Sequence, residues 1–432
     1  MPETIDALYA FAVAAVVAWL MVPISRTLAH RIGAIDQPKE RGLHDTPMPK
    51  LGGLAILGGV LTAGLLGALV FDWLPWDDQT QAILAGAAVI AVVGVIDDVV
   101  ELGAGLKLAG QVGAVLIPVA SGVKVTTLTL PFLGGLRPGS VTLIDLPVAG
   151  EIELGGLLTV VGIVAVVNVI NFIDGVDGLA AGVCLIAATT LAVIALSLDR
   201  TAAGVLAALT AGGALGFLRH GFPPASSFMG DTGSNLLGYL LGCIAIQGAL
   251  KTSAVAALFF PLIVLAVPIF DTGFVVAKRL KYRRPIYQAD RWHLHHRMAN
   301  LGFSQRRTLA YLYAWALTMA GLGLAFRFVP YSDDRGNFET GWTIVILACV
   351  ALALAASVYL VVVLEILKLR GYRSRQLATA RPGAPPGADE VDEGVARELE
   401  TGSFAALDPE SGELRTLDPE TGEFDSVPPA EP

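Results

Sequence analysis

Four polar residues recur at three-residue intervals in the segment NVINFIDGVDGLAAG, residues 168–182. They are Asn168, Asn171, Asp174 and Asp177, and they follow the uncharged run GGLLTVVGIVAVV. Positions three apart share one face of a helix, so the spacing predicts a polar stripe at the end of an apolar helix. A carboxylate inside a bilayer costs about 2.5–3.5 kcal/mol on insertion scales, and such residues usually mark a site or a pathway. A polar cap at the membrane boundary is the alternative.

Four other segments gather acids, histidines and basic residues. Asp97 and Asp98 end an apolar run in GVIDDVVELGAGLK, Lys107 begins the next run, and Asp231 stands between glycines in SSFMGDTGSNLLG. The remaining two segments are DQPKERGLHDTPMPKLGG, with Arg41, His44 and Lys50, and RRPIYQADRWHLHHRM, with His293, His295, His296 and Arg297. Carboxylate and amide oxygens without thiolates suit Mg²⁺, and basic residues supply charge for phosphates. The chemistry indicated is Mg²⁺-dependent phosphoryl transfer at a membrane surface.

Each segment has a second interpretation. Asp97 and Asp98 could form a solvent-facing helix boundary, although the helix dipole disfavours acids there. The HLHH motif could bind Zn²⁺ or Cu²⁺, but no closed ligand set of ordinary spacing accompanies it. Phe228 could pack or stack on a base. The glycines beside Asp231 would let a ligand approach backbone N–H groups at a helix N-terminus.

The composition is that of a membrane protein. Of 432 residues, 54% are hydrophobic and 16% charged, and the mean hydropathy is +0.65. Cys184, Cys243 and Cys349 lie within apolar runs, which argues against a disulfide framework and leaves no CxxC metal site. The N-terminal segment MPETIDALYAF lacks the basic region of a cleavable signal, and its apolar run is too long for one.

Apolar runs predict an all-α polytopic membrane protein of about eleven transmembrane helices. The predicted spans are 5–25, 52–71, 80–96, 104–120, 156–171, 177–197, 202–219, 234–250, 254–277, 308–328 and 342–367. Alternating residues around GG and PG turns in 121–155 predict a small extracytoplasmic β-hairpin.

Charge orients the chain and separates its C-terminal tail. Lys and Arg concentrate after spans one, nine and eleven, so we expect the N-terminus outside and the polar clusters in the cytoplasm. Residues 382–432 carry fourteen acids against Arg397 and Arg415, a net −12, which leaves −9 + 12 = +3 for the rest. We therefore predict a transmembrane domain over 1–375 and a disordered acidic cytoplasmic tail over 376–432.

In this order, the five segments resemble the polyprenyl-phosphate N-acetylhexosamine-1-phosphate transferases, a family that includes the phospho-MurNAc-pentapeptide translocase. The resemblance covers nearly all of residues 1–370 and rests on DQPKERGLHDTPMPKLGG, IDD, NVINFIDGVDGLAAG, FMGDTGS and DRWHLHHR. It implies transfer of a sugar-1-phosphate from a UDP-sugar to a polyprenyl phosphate, with release of UMP. The implied cofactor is Mg²⁺, with Mn²⁺ as a substitute.

The resemblance also implies roles for individual residues. Asp231 matches the Mg²⁺ ligand, and Asn171 a second ligand or its close support. Asp97 and Asp98 match the acidic pair beside the metal and the lipid phosphate, and Asp97 is the favoured base. With Asp231, this pair forms the expected catalytic set.

The expected substrate-binding residues are implied in the same way. Lys107 matches the lysine that contacts the nucleotide diphosphate, Phe228 the aromatic residue that stacks on uracil, and Asp177 the uracil-recognition position. Asp174 and Asn168 match pocket-lining residues. The other expected contacts to phosphate or sugar are His44, His293, His295, His296 and Arg297.

Two chemical routes stay open at this point. A lipid phosphate has a second pKa of about 6, so it is mostly ionised near neutral pH and needs little help from a base. Direct attack on the diphosphate is therefore credible, with the acidic pair acting electrostatically. A covalent aspartyl-phosphate intermediate is the alternative.

The loop sequence DRWHLHHR resembles the branch that transfers GlcNAc-1-phosphate to undecaprenyl or decaprenyl phosphate, in a multi-pass protein of the bacterial plasma membrane. We expect this activity to initiate a cell-wall or surface glycan. The alternative donor is UDP-MurNAc-pentapeptide, and the remote alternative is an ion-coupled transporter. A homodimer is consistent with the resemblance, and no nucleic-acid partner is expected.

Overall fold

The computed structural model describes residues 2–37, 47–126, 128–130, 134–136, 138–146, 150–249, 269, 273, 304–331, 339–359, 404–407 and 414–417. The chain divides into two compact units. The first comprises Met1–Tyr287 and Leu309–Ala353, and the second comprises Gln288–Thr308 and Leu354–Pro432.

Helices dominate the described residues. They are α1 (Pro2–Ile32), α2 (Gly52–Leu69), α3 (Asp78–Val100), α4 (Ala104–Ala120), α5 (Leu154–Ile173), α6 (Leu179–Leu196), α7 (Thr201–Gly221), α8 (Gly230–Ala249), α9 (Gln305–Phe328) and α10 (Thr340–Val358). Every predicted span except the ninth overlaps one of these helices, and span 254–277 lies outside the described residues apart from two positions. Most of the helices run a few residues beyond at least one predicted end, because polar caps and interfacial residues continue the helical turn, whereas α2 and α6 are shorter than predicted.

Eight of the described helices are long and apolar enough to cross a membrane: α1, α2, α3, α5, α6, α7, α9 and α10. Helix α4 is apolar and shorter. This confirms the all-α polytopic class, while the total of eleven stays a prediction. In the first unit, α1 packs on α2 and α7, α7 packs on α6, and α8 packs on α3 and α5.

Short antiparallel strand pairs connect some of these helices. β1 (Ile35–Asp36) pairs with β2 (Met48–Pro49) and holds the end of α1 beside the start of α2. In the segment between α4 and α5, β3 (Leu128–Leu130) pairs with β4 (Gly134–Leu136), and β5 (Thr142–Leu146) with β6 (Gly150–Glu153). The described strands of this segment therefore form two antiparallel pairs where one hairpin was expected, and the GG pair that was expected to form a turn, Gly134 and Gly135, lies within β4.

The hairpin segment is attached to α5 by polar contacts. Lys124 Nζ lies 2.8 Å from Glu153 Oε1, and the Val125 N–H donates to Thr159 Oγ1 at 2.9 Å. Thr159 is fully buried. These bonds fix the non-helical segment to the N-terminal end of α5.

In the second unit, two tail segments form strands. β7 (Phe404–Leu407) pairs antiparallel with β8 (Leu414–Leu417), with Phe404 opposite Leu417. Each strand precedes one copy of the sequence DPE(S/T)GE. Disorder elsewhere in 376–432 stays a prediction.

Candidate active site

Helix α8 begins at the centre of the site. Gly230 starts it with φ +70°, and the Asp231 side chain, 30% exposed, follows in the first turn. A Cβ at Gly230 would overlap the Lys50 carbonyl oxygen and approach the Asp98 carboxylate. Both the backbone angle and the space therefore require glycine here. The motif FMGDTGS thus places one acid at a tightly packed helix start.

Lys107, on the first turn of α4, joins two of the acids. Its Nζ lies 2.8 Å from Asp97 Oδ2 and 2.8 Å from Asp231 Oδ1. It also donates to Asn171 Oδ1 at 3.4 Å. One ammonium group therefore links α3, α5 and α8.

Asp97 and Asp98 lie in the last turn of α3 and are 5% and 6% exposed. This burial excludes the interpretation of the pair as a solvent-facing boundary. The unfavourable end of the helix dipole is offset differently for each acid. Asp97 accepts a hydrogen bond from the Leu102 N–H at 2.8 Å and pairs with Lys107.

Asp98 instead caps α8. Its Oδ1 accepts from the Asp231 N–H at 2.9 Å, and its Oδ2 accepts from the Thr232 N–H at 3.0 Å and from Thr232 Oγ1 at 2.7 Å. Helix N-termini have unpaired N–H groups and a positive dipole end, and a carboxylate satisfies both. The expectation that a ligand would use these N–H groups is wrong, because Asp98 already occupies them.

The start of α8 is also held from the other side by the start of α2. The Gly52 and Gly53 N–H groups donate to the carbonyl oxygens of Phe228 and Met229, both at 2.9 Å. The Phe228 N–H donates to the Pro49 carbonyl oxygen at 2.8 Å. The backbone of Phe228 is thereby fixed, and its side chain is half-buried. Its stacking on uracil stays a prediction.

Asn171 completes the contacts around Asp231. Its Nδ2 donates to Asp231 Oδ1 and, at 2.9 Å, to Ser234 Oγ. Ser234 Oγ donates in turn to the Gly230 carbonyl oxygen at 3.1 Å. The structure therefore brings together five of the expected site residues, Asp97, Asp98, Lys107, Asn171 and Asp231, and their chemical roles stay predictions.

The polar stripe is helical only in its first half. Helix α5 ends at Ile173, so Asn168 and Asn171 lie on it, whereas Asp174 caps it and Asp177 lies in the following turn. Asp177 Oδ2 accepts from the Ala225 N–H at 3.2 Å. Loss of hydration, and then the nearby carboxylates of Asp231, Asp98 and Asp177, raise the pKa of the Asp174 carboxyl well above its usual range.

The turn after α5 is held by helix α9. Tyr313 Oη donates to the Gly178 carbonyl oxygen at 2.6 Å, and Gly178 has φ +76°. Sequence reasoning missed Tyr313, because nothing in its apolar neighbourhood distinguishes it from a packing residue. It also missed Gln111 and Asn235, whose four-residue spacing from Lys107 and Asp231 was the available signal.

Several expected site residues are not placed. His44 lies outside the described residues, and so do His293, His295, His296 and Arg297. Their contacts to phosphate or sugar stay predictions. The described part of the site is accordingly built from α3, α4, α5 and α8 and from the start of α2.

The part of the sequence that contains these helices matches a known protein family. Residues 80–249, from α3 to the end of α8, match the family model for glycosyl transferase family 4. A relative from Bacillus subtilis (strain 168), named as a probable undecaprenyl-phosphate N-acetylglucosaminyl 1-phosphate transferase, is 38% identical over 307 residues. That match covers 70% of this chain and 80% of the relative. The chain belongs to glycosyl transferase family 4.

Other relatives distinguish the branches of the family. The decaprenyl-phosphate N-acetylglucosaminephosphotransferase of Mycobacterium tuberculosis (strain ATCC 25618 / H37Rv) is 36% identical over 325 residues, covering 70% of this chain and 78% of the relative. The phospho-N-acetylmuramoyl-pentapeptide-transferase of Desulforudis audaxviator is 31% identical over 350 residues, covering 74% and 98%. Similarity is higher on the N-acetylglucosamine side, which confirms the branch that DRWHLHHR predicted. It also favours an enzyme over an ion-coupled transporter.

Proposed function

We propose that this protein transfers GlcNAc-1-phosphate from UDP-GlcNAc to a polyprenyl phosphate and releases UMP, the first step of a cell-wall or surface glycan. The observation that carries the proposal is the convergence of Asp97, Lys107, Asn171 and Asp231 from four helices. The names of the relatives from Bacillus subtilis and Mycobacterium tuberculosis support GlcNAc-1-phosphate as the transferred group.

The reaction is a phosphoryl transfer between two anions. An oxygen of the lipid phosphate forms a bond to the sugar-bearing phosphorus of the donor, and the bond from that phosphorus to the bridging oxygen breaks. UMP leaves with the bonding electron pair. Coulomb repulsion opposes the approach, so fixed positive charge at the diphosphate is the main requirement. Lys107 supplies one such charge, held between two acids at 2.8 Å from each.

The residues at α8 fit a magnesium ion. Asp231 offers a partly exposed carboxylate beside the amide of Asn171. Asp97 and Asp231 share the ammonium group of Lys107, and Asp98 adds a third carboxylate at the start of α8, which leaves surplus negative charge. Within the described ranges no three acids, histidines or cysteines form a closed metal cluster. Mg²⁺ commonly uses one or two carboxylates with water and substrate phosphates, so this set is sufficient. When bound, Mg²⁺ would neutralise charge on the diphosphate, with Asp231 and Asn171 as its protein ligands.

The hydrogen bonds favour direct attack over a covalent route. Both oxygens of Asp98 accept bonds from the first turn of α8, and both oxygens of Asp97 are paired, with Leu102 and Lys107. A carboxylate nucleophile would have to give up these bonds. We therefore assign Asp98 to holding α8, and Asp97 to orienting Lys107.

The topology completes the proposal. We propose that the N-terminus lies outside, with the site and the tail in the cytoplasm of a bacterial cell, because basic residues follow spans one and nine. Single cysteines placed in the hairpin segment and in the tail, tested with a membrane-impermeant thiol reagent on intact cells, check this. If the reagent labels the tail but not the hairpins, the orientation in the membrane is opposite to the one proposed.

The activity is tested with the purified full-length protein in detergent. We expect UMP release that requires undecaprenyl phosphate, Mg²⁺ and UDP-GlcNAc, and no release with UDP-MurNAc-pentapeptide. Turnover with the pentapeptide donor alone would keep the chemistry and change the branch. If a cooperative thermal transition shows that the protein is folded and neither donor gives UMP, the proposal is overturned.

A further inference from the structure

Three amide side chains form a second polar layer inside the protein. Gln111 of α4 and Asn235 of α8 are fully buried, and Asn168 of α5 is half-buried. Asn168 Nδ2 donates to Gln111 Oε1 at 2.8 Å, and Gln111 Nε2 donates to Asn235 Oδ1 at 3.4 Å. The layer thus takes one residue from each of three helices and links them in a single donor-to-acceptor chain.

This amide layer repeats the arrangement of the site one helical turn away. Gln111 follows Lys107 by four positions, Asn235 follows Asp231 by four, and Asn168 precedes Asn171 by three. Such positions lie on the same helix face, separated by about 5.4 Å along the axis. The helices α4, α5 and α8 therefore carry two stacked polar layers, and only the first contains charge.

Burying these three amides carries an energetic cost, so their presence between the helices needs an explanation. Burying an amide is unfavourable unless its hydrogen bonds are made. Among the described residues, Asn235 Nδ2 has no partner although it is buried. Asn168 Nδ2 also donates to the Val164 carbonyl oxygen at 2.8 Å, within its own helix. Leucine at these positions would fill space between helices without that cost, but it would allow the helices to slide.

We propose that Gln111, Asn168 and Asn235 are positioning residues that fix the axial register of α4, α5 and α8. The inference rests on the proposed function, because the register matters through the separation of Lys107, Asn171 and Asp231. Asn168 then acts through Gln111 and does not contact the donor. A sliding of one helix by half a turn would separate Lys107 from Asp231, which now lie 2.8 Å apart.

The test compares Gln111→Leu with Asn168→Leu and with the double variant, in UMP-release assays on the full chain. We expect each single variant to lower kcat about 10–100-fold, the usual range for residues that orient a site from behind. The KM for UDP-GlcNAc should change less than about twofold. The double variant should be no worse than the more affected single variant, because either change breaks the same chain.

A matched control is available in α7. Thr210 is fully buried, but its Oγ1 donates to the Leu206 carbonyl oxygen at 2.8 Å, within its own helix. Thr210→Val removes a buried polar group without breaking a contact between helices. We expect wild-type kcat and KM from this control. It therefore distinguishes the effect of a changed helix register from the effect of losing a buried polar group.

Amide hydrogen exchange supplies a readout independent of turnover. In Gln111→Leu, exchange should increase in the first turns of α4 and α8, whereas Thr210→Val should match the wild type. A raised KM in Asn168→Leu alone would make Asn168 a donor contact and overturn the inference. Additive losses, or unchanged exchange with unchanged kcat, would also overturn it. If the wild-type protein released no UMP, the proposed function would fail, and the exchange data would still decide whether the layer fixes the helices.

Discussion

Helix α1 meets α2 and α7 through glycine and alanine, whereas α8 adds charged and amide side chains to its close glycine contacts with α3 and α5. At Gly59 and Gly216 an added Cβ would approach Ala14 and Ala15 carbonyl oxygens of α1 too closely. Around α8, by contrast, Asp98, Lys107 and Asn171 make directed bonds. Small residues allow close packing between helices in lipid, where apolar burial gives little driving force.

The comparison shows a division of work within the first unit. The α1–α2–α7 group has few atoms that could do chemistry and is held by close contact of backbones. The α3–α4–α5–α8 group places individual polar atoms at defined distances. Changes in the first group should therefore alter stability before activity, and changes in the second should do the reverse.

The largest effect is expected at Asp231. Asp231→Asn removes the carboxylate that pairs with Lys107 and that fits Mg²⁺, so kcat should fall by about 10²–10³-fold or more. UMP release and the thermal transition should be measured together, because the transition should shift little. Asp199→Asn is the control, since Asp199 is an exposed acid in the turn after α6. Normal turnover in Asp231→Asn would remove Asp231 from the site.

A glycine pair tests the apolar group. In Gly212→Ala the added Cβ would overlap the Phe11 carbonyl oxygen of α1, and we expect a loss of about 1–3 kcal/mol in unfolding free energy. Gly162→Ala in α5 is the same substitution with nothing within 4 Å of the new Cβ, so stability should hold or rise by up to about 1 kcal/mol. Thermal transitions in detergent measure both. Equal stability in the two variants would mean that the contact of α1 with α7 is not tight.

A smaller effect is expected from the turn that carries Asp177. Tyr313→Phe removes the hydrogen bond to the Gly178 carbonyl oxygen, a change of about 0.5–1.5 kcal/mol. The KM for UDP-GlcNAc should rise about 2–10-fold with kcat nearly constant. Tyr311→Phe, on the same helix and 42% exposed in the wild type, should keep the wild-type KM. A fall in kcat with an unchanged KM would instead indicate that this turn lies closer to the reacting phosphates than to the uracil of the donor.

The smallest expected effect depends on pH. Because the pKa of Asp174 is raised in the folded protein, folding favours its protonated form. Stability is therefore lost as pH rises from about 4, the usual unfolded pKa, towards the folded pKa. In the ligand-free protein, Asp174→Asn should raise the thermal transition by a few degrees at pH 8 and by less at pH 5. An equal gain at both pH values in Asp174→Asn would contradict a raised pKa of the Asp174 carboxyl.

Sequence patterns predicted the helices and most of the charged centre. Apolar runs fixed the spans because a membrane helix must be apolar for most of its length. The acids, Lys107 and Asn171 were identifiable because polar groups in such helices are rare. The order of the five motifs then connected them to one family.

The separate roles of Asp97 and Asp98 were not predictable in this way. The two acids are adjacent in sequence and identical in type, yet one faces Lys107 and the other the first turn of α8. Adjacent positions on a helix point about 100° apart, so the packing of neighbouring helices decides what each one meets. Gln111 and Asn235 were missed for a related reason. Each is a single amide within an apolar run, and only the packing of the helices shows that the two are hydrogen-bonded to each other.

The hairpins between α4 and α5 have a practical consequence. The segment is attached at Ala120 and Leu154, whereas Lys107 and Asn171 lie near the other ends of the same helices. At 1.5 Å per residue, the hairpins are about 20–25 Å from the charged centre. An antibody fragment raised against the hairpins would therefore add mass for electron microscopy while leaving the donor's entrance open. Inhibitor discovery could then proceed on the same complex.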